Sequence, residues 1–469
     1  MILFDGEKSN RSPDRDSKSD NPSIFPTEGM RMSLRIDQFP DQVLEGKARG
    51  ICRFCSEPLR QTFVDLGMSP LCESYLSAEQ LNQMEPFYPL HVFVCEKCFL
   101  VQLEEFVSPQ EIFEEYAYFS SYADSWLQHA WEYVEQVTNR FHLTRMSQVV
   151  EIASNDGYLL QYFVARGIPA LGIEPARNIA RVAEEKGIPT LTEFFGKDCA
   201  HRLVEGGKSA DLLIGNNVLA QVPDVNDFVA GMQVLLKPDG VITLEFPHLM
   251  CLVAENQFDT IYHEHFSYFS FYTVDRIFFA HGLKIFDVEE LSTHGGSLRI
   301  YASHSEDTSN PINDRVTKIK KRELDAGITN LRYYTAFSDR VKETKRKLLE
   351  FLIQARRAGK TIAGYGAPGK GNTLLNYCGI RTDFLDYTVD RNPYKQGKFL
   401  PGTHIPIFNP EKIRETKPDF LLILPWNFKR EIMEQNSYIH DWGGQFLVPI
   451  PEVRQYGPGT WIEGSGSLS

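Results

Sequence analysis

The sequence lacks any apolar run long enough to cross a bilayer, for which a helix needs about 20 residues. Its first residues are polar and acidic, so no signal peptide is evident. Basic residues are fewer than acidic ones: the chain has 49 Lys and Arg and 62 Asp and Glu, which gives a net charge of −13. A nucleic-acid binder would carry a basic surface. The composition therefore predicts a soluble protein that acts on neither membranes nor nucleic acid.

Cysteine is too sparse for a disulfide scaffold, and its placement is uneven. Five of the eight cysteines lie between Cys52 and Cys98, whereas a secreted scaffold would be shorter and denser in cysteine. The pairs Cys52/Cys55 and Cys95/Cys98 each have C-x-x-C spacing, which supplies four thiolates to one tetrahedral Zn²⁺. Coincidental pairs and a redox pair are the alternatives. We expect a reduced, cytoplasmic protein with a structural zinc site.

The middle of the chain lacks the glycine fingerprint with which a dinucleotide-binding unit approaches a pyrophosphate. Instead, an apolar strand at 147–152 runs into a small-residue turn and then a helix. Further strands are predicted at 170–175, 211–217 and 240–247, with helices at 178–186 and 225–236 and a turn at 237–240. This alternation predicts an α/β fold with a parallel sheet between two layers of helices.

Polar residues follow these strands at their carboxyl ends, where open α/β sheets bind ligands. Glu174 ends the second strand and can accept hydrogen bonds from two ribose hydroxyls. The order of small-residue turn, ribose carboxylate and third-strand Asn resembles the layout of class I S-adenosylmethionine-dependent methyltransferases. An NAD enzyme is the alternative, and the missing pyrophosphate glycines count against it. The predicted cofactor-binding residues are Glu151, Ala153, Ser154, Asn155, Gly157, Glu174, Asn216 and Asn217.

The stretch Tyr262-His263-Glu264-His265, called the YHEH stretch below, holds four side chains that exchange or hold protons. Aromatic residues on both sides favour a walled pocket. The stretch follows the fourth strand, so we expect it at the same sheet edge as the cofactor. We interpret it as a general base with its orienting neighbours; a polar surface loop and a His-x-His metal site are the alternatives.

A second α/β unit begins near Lys360 and also lacks a nucleotide signature, since its Gly-rich loop does not have the Walker order. Backbone N–H groups at the following helix start, with Lys370, Arg391 and Lys395 nearby, would suit a diphosphate. Glycine for packing and lysine for solubility is the alternative. Together with His263, these three cations form the predicted substrate-binding set.

In this order the motifs resemble the sugar C-methyltransferases of deoxysugar biosynthesis, which methylate C3 of a dTDP-4-keto-deoxysugar. The resemblance covers the chain from about Cys52 to about Gln455. It rests on the two C-x-x-C pairs, Glu-Ile-Ala-Ser-Asn-Asp-Gly, Asn-Asn-Val-Leu-Ala, Tyr-His-Glu-His-Phe-Ser-Tyr, Gly-Gly-Ser-Leu-Arg and Gly-Tyr-Gly-Ala. It implies a class I methyltransferase domain between a small zinc-binding domain and a second Rossmann-like domain, with the nucleotide sugar between them.

The predicted organisation has six segments. They are a disordered tail at 1–48, a zinc-binding domain at 49–106, a methyltransferase domain at 107–308, a helical linker at 309–358, a Rossmann-like domain at 359–458 and a flexible tail at 459–469.

The resemblance also implies roles for individual residues. His265 is the base that removes the C3 proton, Glu264 and Tyr262 position it or the keto oxygen, and Tyr116 is an active-site tyrosine. The family usually has histidine where this chain has Gln221, which forms hydrogen bonds but does not titrate. A second acid/base role at Gln221 is therefore in doubt.

The predicted function is S-adenosylmethionine-dependent transfer of a methyl group to C3 of a nucleotide-linked 4-keto-deoxysugar, through an enolate. Two alternatives stay open at this point. One is an O- or N-methyltransferase of another small polar metabolite, and the other is a non-catalytic zinc-containing binding protein with a methyltransferase fold. Monomer and homo-oligomer are equally compatible with the sequence.

Overall fold

The computed structural model describes residues 50–113, 120–122 and 124–458, whose strands form three sheets. The predicted tails and Tyr116 lie outside these residues. The predicted mixed α/β class is confirmed. Among the described helices, none combines the length and the apolar character that a bilayer span requires.

The first sheet is antiparallel and joins the cysteine-rich segment to the YHEH stretch. Its strands, in spatial order, are β1 (Gln61–Ser69), β2 (Tyr88–Val94), β3 (Val101–Leu103) and β9 (Ser267–Tyr268). Strand β9 begins two residues after His265 and pairs with β3 through Val101–Tyr268 and Gln102–Ser267. The catalytic stretch predicted from the sequence is thus held by a strand from the zinc-binding segment.

The second sheet is the doubly wound methyltransferase sheet. Its strands are β4 (Val149–Ile152), β5 (Ala170–Ile173), β6 (Thr190–Leu191), β7 (Ala210–Asn216), β8 (Leu236–Pro247), β10 (Leu283–Leu291) and β11 (Ser297–His304). The spatial order is β10-β11-β8-β7-β4-β5-β6, with β10 and β11 antiparallel to the rest. The direction of strand addition reverses between β4 and β7, and such a switch point is where α/β sheets bind ligands.

The prediction that a turn at 237–240 precedes the fourth strand is wrong. Strand β8 is continuous from Leu236, and its register with β7 shifts between the pairs Ala210–Leu236 and Leu212–Val241. The four residues therefore form an irregularity within β8, because backbone pairing with β7 continues on both sides of them.

Helices cover both faces of this sheet. They are α2 (Asp124–Arg140), α3 (Leu160–Ala165), α4 (Arg177–Glu185), α5 (Lys197–Glu205), α6 (Val225–Leu235) and α8 (Phe271–Ala280). Two shorter helices are α1 (Pro109–Phe113) and α7 (Leu249–Ala254), and the buried residues of α7 belong to the apolar cluster of the first and third sheets. Residues of α5, α6 and α8 share one buried apolar cluster with the sheet, and residues of α2 and α3 share another. Two separate cores are expected when a sheet is buried on both sides.

The third sheet repeats the doubly wound layout. Its strands are β12 (Ile362–Tyr365), β13 (Thr388–Val389), β14 (Ile407–Phe408), β15 (Phe420–Ile423), β16 (Gln445–Val448) and β17 (Arg454–Tyr456). The order is β14-β13-β12-β15-β16-β17, in which β17 is antiparallel to its neighbour. Its helices are α11 (Gly369–Cys378), α12 (Lys412–Thr416) and α13 (Lys429–Gln435). The switch point lies between β12 and β15.

The segment predicted as a helical linker is two helices, α9 (Asp314–Ala326) and α10 (Leu331–Arg357). Its charged residues are largely exposed, but α10 also carries a buried apolar stripe that includes Tyr334, Phe337 and Val341. Phe337 stacks on Phe63 of β1 with ring centroids 4.6 Å apart. Because the stripe joins one apolar cluster with the first and third sheets, α10 is a structural part of the core.

Candidate active site and zinc centre

The four cysteines of the two C-x-x-C pairs meet at one point. All four Sγ atoms lie within 4.8 Å of one another, with Cys52 3.4 Å from Cys98 and Cys55 3.5 Å from Cys95. Gln102 of β3 adds a hydrogen bond from Nε2 to Cys52 Sγ at 3.2 Å. Four thiolates at these separations fit a tetrahedral Zn²⁺ with no open position, so this is a structural zinc centre.

Each cysteine pair is held in a tight turn. The residues that follow, Ser56 and Phe99, have φ of 59° and 61°. Their N–H groups donate to the carbonyl oxygens of Cys52 and Cys95, both at 2.9 Å. The two turns are thus built alike, and each turn directs two Sγ atoms at the same point.

The zinc centre docks directly on the methyltransferase domain. Asn226 of α6 donates from Nδ2 to the carbonyl oxygens of Arg53 and Phe54, both at 3.0 Å. Arg53 donates to the carbonyl of Pro223 at 2.8 Å. Close by, the N–H of Phe266 donates to the carbonyl of Ala220 at 2.7 Å, so the half-buried Gln221 lies beside the chain that leaves the YHEH stretch.

The turn after β4 is closed by the carboxylate of Glu174. Its Oε2 accepts the N–H of Asn155 at 3.0 Å, and its Oε1 accepts the N–H of Ala176 at 2.9 Å. Burial raises the pKa of Glu174 to about 7, although these N–H groups oppose the shift. Ala153 and Asn155 have φ of 54° and 49°, which shows how sharply the chain turns here.

Several buried polar atoms around this turn lack a hydrogen-bond partner among the described residues. They are both carboxylate oxygens of Glu151, Ser154 Oγ, Asp156 Oδ1, Asn216 Oδ1 and Asn217 Oδ1. They belong to the carboxyl ends of β4 and β7, on either side of the switch point. Burying so many unsatisfied groups is costly unless a polar ligand completes them, and S-adenosylmethionine carries the amines and hydroxyls that would.

Two further predicted cofactor residues are Glu151, which is buried near other carboxylates, and Gly157, which is tightly packed. The pKa of Glu151 is raised by its burial and further by the charges of Glu174 and Asp156. Gly157 has φ of 75°, and a Cβ there would lie 2.2 Å from Ile188 Cδ1. Glycine at this position is therefore required by the turn and by packing against Ile188.

His265 of the YHEH stretch has a ring nitrogen that can accept a proton. Its Nδ1 donates to the carbonyl oxygen of Thr260 at 3.2 Å, so the lone pair of the neutral ring resides on Nε2. The rings of Tyr262 and Tyr268 lie 4.2 Å and 6.1 Å away. Burial lowers the pKa of His265 to about 4, which keeps the imidazole neutral at pH 7.

The other members of the stretch contact the zinc-binding segment. His263 Nε2 donates to the carbonyl of Pro89 at 3.2 Å, and its ring lies 5.8 Å from that of Tyr88. Glu264 Oε1 accepts a weak hydrogen bond from Cys72 Sγ at 3.5 Å. Cys72, which had no predicted role, is thus a direct neighbour of the predicted catalytic carboxylate.

The third sheet carries Lys370 on α11, a helix that is bonded to the chain just before the YHEH stretch. Its Nζ donates to Asn427 Oδ1 at 2.8 Å and lies 4.8 Å from the Trp426 ring. Burial lowers the pKa of Lys370 to about 8, against the attraction of Asp259. The positive charge of Lys370 in turn contributes to the low pKa of His265.

Helix α11 is fixed to the chain just before the YHEH stretch. Thr373 Oγ1 donates to the carbonyl of Ile261 at 2.9 Å, and Trp426 Nε1 donates to Asp259 Oδ2 at 2.7 Å. The YHEH stretch therefore lies between a strand of the zinc-binding segment and a helix of the third sheet.

The three cations predicted to bind a diphosphate each contact a different partner, which for Lys370 is Asn427. Lys395 Nζ donates to the carbonyl of Ala367 at 2.9 Å and lies 3.4 Å from Glu73. Arg391 is largely exposed, 4.0 Å from Glu431. It lines a separate cavity of about 390 Å³ at the carboxyl edge of the third sheet.

Sequence reasoning missed a buried charged network at the carboxyl end of β8. Glu245 Oε2 lies 2.9 Å from both Arg299 and His129 Nε2, and Thr293 Oγ1 donates to Glu245 Oε1 at 2.7 Å. Burial alone would raise the pKa of Glu245, but the His129 hydrogen bond and the Arg299 charge hold it at about 2. The sequence signal was a charged residue in each of two apolar strands, which pair in register as Glu245 and Arg299.

Comparison with known proteins decides the family. Three family models match the chain: a zinc binding domain at 52–113, a methyltransferase domain at 123–288 and a C-methyltransferase C-terminal domain at 292–451. C-methyltransferase NovU of Streptomyces niveus is 36% identical over 403 residues, which cover 86% of this chain and 96% of that protein. The chain belongs to the C-methyltransferase family.

This C-methyltransferase is also similar in part to solved methyltransferases. Magnesium protoporphyrin IX methyltransferase (ChlM) from Synechocystis PCC 6803 covers 38% of this chain and 79% of its own, at 16% identity and a TM-score of 0.30. An S-adenosylmethionine-dependent methyltransferase from Clostridium acetobutylicum covers 39% and 93%, at 9% identity and a TM-score of 0.32.

The predictions of S-adenosylmethionine as cofactor, a structural zinc ion and methyl transfer to carbon are confirmed at this level. The family assignment excludes the non-catalytic and the O- or N-methyltransferase alternatives. The roles of the individual site residues and the identity of the acceptor stay predictions.

Proposed function

We propose that this C-methyltransferase methylates C3 of a nucleotide-linked 4-keto-deoxysugar. The observation that carries the proposal is the environment of His265, a neutral imidazole whose Nε2 is left to act as a base by the Nδ1–Thr260 hydrogen bond. Methylating carbon requires a carbon nucleophile. A proton next to a carbonyl is acidic enough for an imidazole to remove only when the resulting enolate is stabilised.

The base and its surroundings support proton removal at C3. His265 Nε2 takes the C3 proton, the C3–C4 double bond forms, and the carbonyl electron pair moves to the oxygen. Tyr262 lies against His265, and its pKa is raised by burial, so its phenol stays protonated. Tyr262 and Glu264 orient the base or hydrogen-bond to the sugar.

The residues at the methyltransferase switch point hold the cofactor in this proposal. Bound S-adenosylmethionine supplies an electrophilic methyl group on its sulfonium. Glu174 accepts from the ribose hydroxyls, and Asn216 and Asn217 offer their unpartnered amide oxygens. Glu151 offers a carboxylate in the same buried region.

The nucleotide part of the substrate would extend toward the third sheet. Lys370, on α11, would lie nearest to His265. Lys395, in the loop after β13, is bonded to Ala367 in the loop that precedes α11. Arg391 and Asn409 line the cavity of about 390 Å³ beyond them. That cavity lies at the carboxyl ends of parallel strands, where α/β sheets receive nucleotides.

The test uses purified enzyme and a dTDP-4-keto-6-deoxysugar in D₂O. Without methyl donor, we expect C3–H to exchange with deuterium, followed by NMR. With ¹³C-methyl S-adenosylmethionine, we expect one methyl resonance coupled to a carbon framework at C3. Tight binding of S-adenosylmethionine without C3–H exchange would overturn the proposed acceptor, and a methyl resonance on oxygen would overturn the proposed position.

A further inference from the structure

The turn between β10 and β11 is built around a histidine in an unusual backbone conformation. His294 has φ of 53° and ψ of 18°, a left-handed conformation that few non-glycine residues adopt. Gly295 and Gly296 follow with φ of 91° and 117°. Strain of this kind persists where the surrounding structure enforces it, and it concentrates at functional sites.

Contacts on every side hold this turn. Thr293 Oγ1 donates to Glu245 Oε1 at 2.7 Å, and Gln257 Nε2 donates to the carbonyl of Gly295 at 2.7 Å. A Cβ on Gly295 would lie 2.7 Å from the Trp426 ring, and one on Gly296 would lie 2.8 Å from Cys251 Sγ. The methyltransferase domain and the third sheet thus fix the position of His294 together.

His294 is half-buried, and its Nε2 atom is buried without a hydrogen-bond partner within the part of the chain that the structure describes. Its ring lies 5.3 Å from that of Trp126. The charges of Lys370 and Glu245 act on it, and His294 itself acts on His265. The turn and Lys370 lie against the same ring, because a Cβ on Gly295 would lie 2.7 Å from Trp426 and Lys370 Nζ lies 4.8 Å from the centroid of that ring. Helix α11, which carries Lys370, is bonded in turn to Ile261, four residues before His265.

We propose that His294, together with Lys370, binds the carbonyl oxygen of the acceptor and stabilises the enolate formed by the base. This inference rests on the proposed function and names a catalytic residue for it.

The chemistry divides between the two histidines. His265 Nε2 accepts the C3 proton while the carbonyl π electrons move onto the oxygen. A neutral His294 with its hydrogen on Nε2 donates to that oxygen, and the ammonium of Lys370 adds a positive charge in a buried site. When the enolate carbon takes the methyl group, the carbonyl re-forms and His294 keeps its proton throughout.

The test compares His294→Gly and His294→Asn with the wild type. Glycine and asparagine both adopt the left-handed conformation readily, so neither should strain the turn. His294→Gly removes the donor, and C3–H exchange should fall about 100- to 1,000-fold, as for loss of one oxyanion donor. His294→Asn restores a shorter N–H donor and should recover part of the rate.

Three controls separate catalysis from folding. Both variants should keep the wild-type melting temperature and S-adenosylmethionine affinity, and added imidazole should raise the exchange rate of His294→Gly. Exchange by His294→Gly at the wild-type rate would overturn the inference, as would a loss that imidazole does not relieve and that follows the melting temperature. Absence of exchange in the wild type itself would instead overturn the proposed function.

Discussion

The two doubly wound sheets of this C-methyltransferase carry the same carboxylate clasp. In the methyltransferase sheet, Glu174 follows the second strand and accepts N–H groups from Asn155, in the first turn, and from Ala176. In the third sheet, Asp390 follows the second strand and accepts the N–H groups of Ala367, in the first turn, and of Asn392, at 2.7 Å and 2.8 Å. In both units, a carboxylate at this position accepts two backbone N–H groups and so holds the first turn to the loop after the second strand; this arrangement is called the carboxylate clasp below.

The sheets differ in how the remaining polar groups are satisfied. At the methyltransferase switch point, buried oxygens of Glu151, Ser154 and Asn216 have no partner among the described residues. At the corresponding edge of the third sheet, Lys370 is bonded to Asn427, and Lys395 to Ala367 and Glu73. Unsatisfied carboxylate and amide oxygens, more than a carboxylate after the second strand, thus distinguish the edge predicted to bind the cofactor, whereas the unpartnered atom on α11 of the third sheet is an amide nitrogen, Asn372 Nδ2.

The largest effect should come from the base between the two sheets. His265→Asn should lower C3–H exchange about 100- to 10,000-fold, because a positioned general base contributes that much, while S-adenosylmethionine still binds. The measurement is the NMR exchange rate beside a calorimetric titration of cofactor. His281→Asn is the matched control, since the His281 ring donates to the carbonyl of Ile277 at the end of α8. Equal rates for the two variants would remove His265 as base.

Loss of zinc should impair C3–H exchange at the YHEH stretch while leaving S-adenosylmethionine binding intact. Cys95→Ser should weaken the zinc centre, which contributes folding energy, and release β3 from β9. Displacing the YHEH stretch by about 1 Å costs roughly 100-fold in rate, whereas the methyltransferase switch point should still bind S-adenosylmethionine. Metal content, exchange rate and cofactor affinity are the three readouts.

The control for this variant is Cys199→Ser, a buried thiol on α5 outside the zinc centre. It should retain its zinc and its exchange rate. If Cys95→Ser kept full zinc content and activity, the zinc-binding segment would have no part in holding the base.

Paired substitutions test the two clasps directly. Glu174→Gln should raise the dissociation constant for S-adenosylmethionine about 10- to 100-fold, because a hydrogen bond to a charged group contributes about 1.5–3 kcal/mol. Asp390→Asn should leave that constant unchanged and lower only the melting temperature. Equal losses of cofactor affinity in both variants would erase the difference between the sheets.

The smallest effect expected is a decline of kcat/KM at alkaline pH, caused by deprotonation of Lys370 on α11 of the third sheet. The pKa of Lys370 is about 8, lowered by burial, so its charge is present below pH 8 and lost as pH rises through that value. If the cation stabilises the enolate, kcat/KM should decline above pH 8, by up to about tenfold per pH unit. Lys370→Met should abolish this decline, whereas Lys360→Met, at an exposed lysine paired with Asp419, should keep it.

The pH profile of kcat/KM should also decline on the acidic side, where His265 becomes protonated. Burial puts the pKa of His265 at about 4, so the imidazole is neutral above that value and activity should fall only as pH drops toward 4. A limb near pH 6.5 would show that His265 is solvated during turnover.

Local patterns in the sequence determined the zinc ligands, the α/β class and the candidate base. Two C-x-x-C pairs bring four thiolates to one ion, strand and helix periods are read within about ten residues, and the YHEH stretch is contiguous. The positions of Glu174, Asn216 and Asn217 also followed from strand ends, because the carboxyl ends of parallel strands meet at one edge.

Only the tertiary structure decided which of these parts share a pocket. The pairing of β9 with β3, the placement of Lys370 beside His265 and the Glu245–Arg299 contact join residues that are 54 to more than 160 positions apart. The joint role of Lys370, Arg391 and Lys395 stays a prediction, and in the structure each cation has its own partner, which is Asn427 for Lys370, Glu431 for Arg391 and Glu73 for Lys395. Such contacts depend on register and helix docking between distant segments, which no local pattern records.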